Sequence, residues 1–165
     1  MKKYILNLAL LLLINILISV YLSGIAIFNV VPAIDLILLV VYAVNVKSHE
    51  ATIVGAMMGL IVDILFGTTF GYNTLMFMYI ALGVNYAAKN LLSNDVMAVL
   101  VLTCISVLLY DSATFLFFDM FNGNAYYFRY LFKIIIPEII YTTLFYFPLQ
   151  ALVIGYRRLI KKWSW

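Results

Sequence analysis

The chain has 165 residues, of which 67% are hydrophobic and only 10% are charged, with a net charge of +3. Soluble domains are usually about 45–50% apolar and about 25% charged, so a water-soluble fold of this size could not bury so much apolar surface. The composition also excludes a disordered chain, a nucleic-acid binder and a disulfide-stapled secreted domain. The sequence therefore predicts an integral membrane protein.

Six apolar stretches are interpreted as membrane-spanning helices of one domain covering residues 1–165. A bilayer core about 30 Å thick needs roughly 20 apolar residues per helix, so six helices would use about 120 residues. Helices are favoured over a closed barrel because the period-two alternation of barrel strands is absent. The predicted spans are residues 4–22, 32–46, 51–66, 74–88, 96–118 and 131–156.

The first span follows Lys2 and Lys3, an arrangement that also resembles a signal peptide. Its apolar run is longer than the roughly 7–15 residues of a signal peptide, and no small-residue cleavage site follows it. We therefore expect this segment to stay in the protein as a membrane-spanning helix. Asn7, Asn15 and Ser19 form a polar line along it, which we interpret as hydrogen-bonding contacts between helices.

The basic residues are divided unevenly between the two sides of the predicted bundle. With the N-terminus inside, only Arg129 and Lys133 of the ten Lys and Arg residues lie outside. Short cytoplasmic loops attract Lys and Arg, so both termini are expected to be cytoplasmic. The basic and aromatic tail at 156–165 favours contact with anionic lipid, and a cytoplasmic protein partner is the alternative.

Four acidic residues fall within the predicted spans, namely Asp35, Asp63, Asp111 and Glu138. An ionised acid at the bilayer centre costs about 2.5–3.5 kcal/mol on insertion scales, so each must face a polar interior or a partner, or be protonated. The predicted topology places all four in the outer half. We predict an outward-opening polar pocket at Asp63, Asp111 and Glu138, and a helix-capping role for Asp35.

Four glycines and one aspartate recur every four positions along the third span and the loop after it. The series is Gly55, Gly59, Asp63, Gly67 and Gly71. Steps of four drift by only about 40° around a helix, so the first three share one face. This spacing favours close packing, either within the bundle or against another protein's transmembrane helix. The segment 67–73 is expected to form a tight outer turn in which Asn73 caps the next helix.

No motif typical of a catalytic or metal site occurs in the sequence. A single histidine, His49, and a single cysteine, Cys104, cannot build a zinc site or an internal disulfide. A Gly-rich phosphate loop, a Ser–His pairing and a His-Glu-x-x-His motif are all absent. We therefore predict a protein that is not an enzyme and uses no cofactor.

Two segments resemble the MreD family, the rod-shape-determining membrane proteins of bacteria. They are Pro-Ala-Ile-Asp-Leu at 32–36 and the glycine-rich stretch at 55–73. The length, the six predicted spans, Asp111 in the fifth span, Pro148 in the sixth and the basic tail agree with this family. The loop at 47–50 departs from the family pattern, because it is less arginine-rich.

The resemblance implies a multi-pass protein of the bacterial cytoplasmic membrane, with a fold like that of the substrate-binding subunits of energy-coupling-factor transporters. It implies a non-catalytic scaffold of cell-wall elongation that binds the transmembrane helix of MreC and helps position peptidoglycan synthesis enzymes. MreB, RodA and a class B penicillin-binding protein are the further partners it implies. The residues expected at a partner interface or structural motif are Pro32, Asp35, Gly55, Gly59, Asp63, Gly67, Gly71 and Asn73.

A second hypothesis is a small-molecule-binding membrane subunit of a vitamin-type transporter, with Asp63, Asp111 and Glu138 lining the site. Such subunits often dock through small alanines spaced along the first span, whereas residues 4–22 contain only Ala9. A channel or proton-driven carrier is a third hypothesis. It is disfavoured because the predicted inner half has no acid to carry a proton or ion across the membrane.

Overall fold

The computed structural model describes residues 32–66, 69–90, 96–119 and 126–148. Most of these residues lie in helices joined by short turns, and no strand occurs among them, as expected for an all-α protein. The predicted first span at 4–22, Gly67, and the basic tail lie outside the described residues. The helices are α1 (Ile34–Val44), α2 (Ser48–Phe66), α3 (Tyr72–Asn90), α4 (Val96–Thr114) and α5 (Tyr127–Pro148).

Three helices in the described part are long and apolar enough to cross a membrane. They are Ser48–Phe66, Val96–Phe118 and Tyr127–Pro148. Helix α3 is 19 residues long but includes polar residues such as Asn85 and Lys89. Helix α1 has only 11 residues, which is about 16 Å at the α-helical rise. The six-span count and the cytoplasmic placement of both termini remain predictions.

Several helix ends differ from the predicted boundaries. Helix α1 covers only Ile34–Val44 of the predicted 32–46, and Pro32 lies just before it with its carbonyl accepting a hydrogen bond from the N–H of Ile34. Helices α2, α3 and α5 instead begin before the predicted residues 51, 74 and 131. A search for apolar runs does not detect their first turns, because those turns contain polar or aromatic residues.

Helix α1 lies at the centre of the described bundle. Eight of its 11 residues are buried, and it packs against α2, α3 and α4. A helix that is apolar on all sides is stable when other helices surround it. The most extensive contact in this part of the chain joins α2 and α3, which run antiparallel on either side of a short turn.

Both ends of α1 are bonded to side chains of other helices. The N–H of Ala33 donates to the Thr142 hydroxyl of α5 at 3.2 Å. The Asn85 amide of α3 donates to the carbonyls of Ala43 and Val46 at 2.7 and 2.8 Å. The first N–H and last C=O groups of a helix have no partner within it, and lipid offers none. These bonds explain how so short a helix can end inside an apolar bundle.

Helices α4 and α5 lie side by side. The hydroxyls of Ser112 and Tyr127 are hydrogen-bonded at 2.9 Å, and the hydroxyl of Tyr146 donates to the Val96 carbonyl at 2.9 Å. The first bond joins the end of α4 to the start of α5, and the second joins the start of α4 to the end of α5. The two helices are therefore antiparallel over their whole length.

A π-helical turn follows Thr114 at Phe115–Asp119, and another lies within α5 at Leu131–Ile135. The second has a clear physical cause. Pro137 has no N–H to bond the carbonyl of Lys133, and the proline ring crowds that carbonyl, so a wider turn accommodates it. The helix then continues, with Glu138 directly after the proline.

Candidate functional site

Asp63, near the end of α2, binds the N-terminus of α3. Its carboxylate accepts the N–H groups of Gly71, Asn73 and Thr74 at 3.1, 3.1 and 2.9 Å, and the Thr74 hydroxyl at 2.6 Å. The Asp63 residue is only 4% exposed. An N-cap side chain normally accepts such N–H groups, and a negative charge is stabilised at the N-terminus of a helix. Asp63 therefore caps α3 from the neighbouring helix.

This arrangement corrects the prediction that Asn73 caps the helix after the turn. Helix α3 begins at Tyr72, so Asn73 lies within its first turn. The capping position is taken by Asp63, and the Asn73 side chain instead accepts a hydrogen bond from the Tyr110 hydroxyl of α4 at 2.5 Å. Gly71, just before the helix, has a φ of +98°, which glycine adopts without the penalty of a Cβ atom.

Gly55 and Gly59 face α3 of the same chain. A Cβ atom on Gly55 would lie 2.7 Å from the Phe77 carbonyl oxygen and 2.9 Å from the Ala81 Cβ. A Cβ atom on Gly59 would overlap the Asn73 carbonyl. Both glycines are buried. The glycine face predicted from the sequence thus packs α2 against α3, and a partner helix could reach it only by displacing α3.

The buried acids are grouped differently from the predicted pocket. The Asp63 carboxylate points toward the start of α3, where it already accepts hydrogen bonds from backbone N–H groups. Glu138 on α5 instead lies within electrostatic range of Asp111 on α4 and of Asp35 on α1. Asp35 lies in the first turn of α1, whose N-cap residue Ala33 makes no side-chain cap bond. Asp35 takes part because α1 is central and packs directly against α4. We call Asp35, Asp111 and Glu138 the acid cluster.

Asp111 has the smallest exposed fraction of the three residues in the acid cluster. It is 5% exposed, and its Oδ2 atom has no hydrogen-bond partner. Asp35 and Glu138 are partly buried. The Tyr110 hydroxyl lies within electrostatic reach of all three acids, but its proton is donated to Asn73. This tyrosine therefore donates no hydrogen bond to the carboxyl groups of the acid cluster.

Three polar residues important in the structure were missed by the sequence interpretation. They are Asn85, Tyr110 and Thr142, each of which bonds a different helix. The signal that could have found them is an isolated polar side chain in an apolar span, which must have a partner within the bundle. Of the other predicted residues, Pro32 is buried just before α1, and Gly67 is not among the described residues.

Comparison with known proteins connects this architecture to one family. The family model for rod shape-determining protein MreD matches residues 2–160, nearly the whole chain. No curated protein and no solved structure matches the sequence, so the expected likeness to energy-coupling-factor transporter subunits stays a prediction. The resemblance carried by residues 32–36 and 55–73 is confirmed by the family match. The chain belongs to the MreD family of membrane proteins, which has a role in determining rod shape.

Proposed function

We propose that this protein is a non-catalytic scaffold of cell-wall elongation, which binds the transmembrane helix of MreC and helps position peptidoglycan synthesis enzymes. The observation that carries the proposal is the MreD family match over residues 2–160. MreB, RodA and a class B penicillin-binding protein are the further partners in this proposal. The bonds that join α1, α2, α3 and α5 support it, because a scaffold must hold its partners on rigid elements.

The internal packing of the glycines changes where a partner helix is expected to dock. Because Gly55 and Gly59 are covered by α3, variants at these positions would damage the fold as well as any interface. The exposed faces of the helices are better candidates. In a membrane, these apolar faces are accessible both to lipid and to a partner helix. One exposed position on each longer helix is Ile64 on α2, Tyr79 on α3, Val101 on α4 and Ile140 on α5.

Site-specific photo-crosslinking tests the proposal on the full chain produced together with MreC. A photoreactive amino acid is placed in turn at Ile64, Tyr79, Val101 and Ile140, and at Met58 as a fully buried control. We expect crosslinks to MreC from the positions of one face and none from Met58. If no exposed position crosslinks, and MreC does not co-purify in mild detergent, the proposed binding is wrong.

A further inference from the structure

Two basic residues share an exposed face at the start of α5. Arg129 and Lys133 lie four residues apart, and both are exposed. Residues four apart on a helix are neighbours on its surface, with about 5–6 Å between their Cβ atoms. The π-helical turn at Leu131–Ile135 is wider than an α-helical turn, so a step of four residues across it stays close to one full turn. We call Arg129 and Lys133 the cation pair. It lies at one end of a helix that is long and apolar enough to cross a membrane.

Aromatic packing next to α4 fixes the direction in which the cation pair faces. The rings of Tyr127 and Tyr130 lie 5.2 and 5.0 Å from the ring of Phe115, a buried residue that directly follows α4. The Tyr127 hydroxyl is also hydrogen-bonded to that of Ser112 at 2.9 Å. Because the two tyrosines hold one side of α5 against the bundle, the cation pair lies on the side that faces the surroundings.

The cation pair has no acidic partner in the part of the chain that the structure describes. The ion pair found there joins His49 and Glu50, at the start of α2. The Arg129 guanidinium lies over the Tyr126 ring, 5.7 Å from its centroid, which holds it near the helix but does not neutralise it. A charged group that borders a bilayer is stabilised by a partner of opposite charge. An anion from outside the described chain would therefore stabilise both cations.

The face that carries the cation pair becomes apolar farther along α5. Three exposed residues continue it at helical spacing, and we call them the apolar strip: Ile136, Ile140 and Leu144. Two exposed aromatic rings, Phe128 and Phe132, flank the cations, and aromatic rings are favoured near the boundary between membrane and water. The face thus presents positive charge at the membrane surface and apolar side chains toward the membrane interior. An anionic lipid has the complementary arrangement, with a negative headgroup above apolar chains.

We propose that the cation pair binds the headgroup phosphate of an anionic phospholipid, whose acyl chains lie along the apolar strip. The planar guanidinium of Arg129 offers N–H donors that match the oxygens of a phosphate, and the Lys133 ammonium adds a second positive charge. The membrane itself supplies this chemistry at the position of the cations. The inference does not depend on the proposed MreC contact, because its tests use the chain without MreC.

The first test maps lipid contacts of the full chain in phosphatidylcholine nanodiscs. A trace of phosphatidylglycerol with a photoreactive acyl chain is added, and phosphatidylcholine with the same chain is the control. We expect the ratio of phosphatidylglycerol to phosphatidylcholine labelling to be higher at Ile140 and Leu144 than at Leu75 and Tyr79, exposed residues of α3. Two cations at a membrane surface would raise this ratio by up to roughly 30-fold at low salt. Equal ratios on the two helices would overturn the proposal and leave an acidic side chain of a partner helix as the counter-charge.

The second test identifies the residues that hold the lipid. R129Q/K133Q should lose the higher ratio on α5, whereas R129K/K133R, which keeps both charges, should retain most of it. K47Q/K89Q is the matched control, because it removes the same charge from other helix ends and should leave the ratio on α5 unchanged. If R129Q/K133Q does not fold, K133Q alone decides. An unchanged ratio in R129Q/K133Q, or a loss only in K47Q/K89Q, would show that the proposal is wrong.

The third test measures whether the lipid stabilises the fold. Thermal unfolding is compared in nanodiscs of phosphatidylcholine and of phosphatidylcholine mixed with phosphatidylglycerol. A lipid that binds only the folded protein raises the unfolding midpoint, and we expect a rise of roughly 4 °C or more in the mixture. K47Q/K89Q should keep this rise, and R129Q/K133Q should lose most of it. If the two double variants lose the same part of the rise, the effect is general attraction to charge and the proposed site is wrong.

Discussion

Asp63 lies three residues before the end of α2 and accepts the first N–H groups of α3, so one carboxylate fixes the direction in which the chain leaves the turn. Asn85 and Thr142 act in the same way on the two ends of α1. In each case the side chain belongs to a different helix from the backbone group that it bonds. At the residue scale, the polar groups of this bundle therefore determine where its helices begin and end.

D63N is predicted to destabilise the protein. The asparagine amide has one acceptor oxygen instead of two, and its NH2 group would face N–H donors of Gly71, Asn73 or Thr74. Hydrogen bonds to a charged acceptor contribute more than neutral ones, so we expect a loss of roughly 2–3 kcal/mol in the free energy of unfolding. The measurement is reversible unfolding in mixed detergent micelles. E50Q is the control, and equal stability of the two variants would contradict the capping role.

At the scale of elements, the closest contact is the one between α2 and α3. Gly55 and Gly59 allow the α3 backbone to approach so closely that no side chain fits between the helices. Gly83, on the other side of α3, has open space where a Cβ atom would lie. Gly55 and Gly59 are therefore required for close packing of this helix pair, whereas Gly83 is not. Alanine substitutions can test this difference.

G59A should destabilise the protein, and G83A should not. The new methyl group in G59A would overlap the backbone of Asn73, at an expected cost of about 1–3 kcal/mol. In G83A it meets no atom, and alanine favours the helix by about 0.5–1 kcal/mol over glycine. Unfolding in mixed micelles measures both variants. A G59A protein as stable as G83A would show that α2 and α3 are not in close contact.

N85D is predicted to destabilise the protein more than N85L does. The Asn85 amide donates two hydrogen bonds to carbonyls at the end of α1, and either variant loses them. Leucine leaves those carbonyls unpaired, at a cost of about 1–2 kcal/mol. Aspartate adds a buried carboxyl group facing the same oxygens. Denaturation curves of the two variants, compared with that of the original chain, test this order. If both variants gave the same denaturation curve as the original chain, Asn85 would not be needed as the C-terminal cap of α1.

The sequence was sufficient to predict the helices of the described segments and the shared glycine face, because both depend on the pattern of residues along one segment. It was not sufficient to predict the partner of that face. The same spacing would serve α3 or a helix of another protein, and only the tertiary structure distinguishes them. Asp63 shows the same limit. Its burial was predicted from the cost of a charge in lipid, but its bonds to the start of α3 depend on how the turn folds.

At the scale of the whole molecule, the described helices place the loops on two opposite sides. Helices α2 and α3 are antiparallel, so Lys47 before α2 and Lys89 near the end of α3 lie on one side. The Asn85 bond to Val46 also brings these two ends together. Helix α4 returns across the bundle, so Arg129 at the start of α5 lies on the opposite side. For these three residues, the arrangement has the division between two sides that the sequence pattern predicts.

Cysteine labelling in intact cells is predicted to find Arg129 outside and both lysines inside. In a C104S background, a membrane-impermeant maleimide should label R129C before permeabilisation, and K47C and K89C only afterwards. The physical reason is that short loops rich in Lys and Arg stay on the cytoplasmic side. Labelling of all three cysteine variants after permeabilisation is the control, because it shows that each introduced cysteine can react with the maleimide. The reverse pattern would invert the orientation predicted from the basic residues.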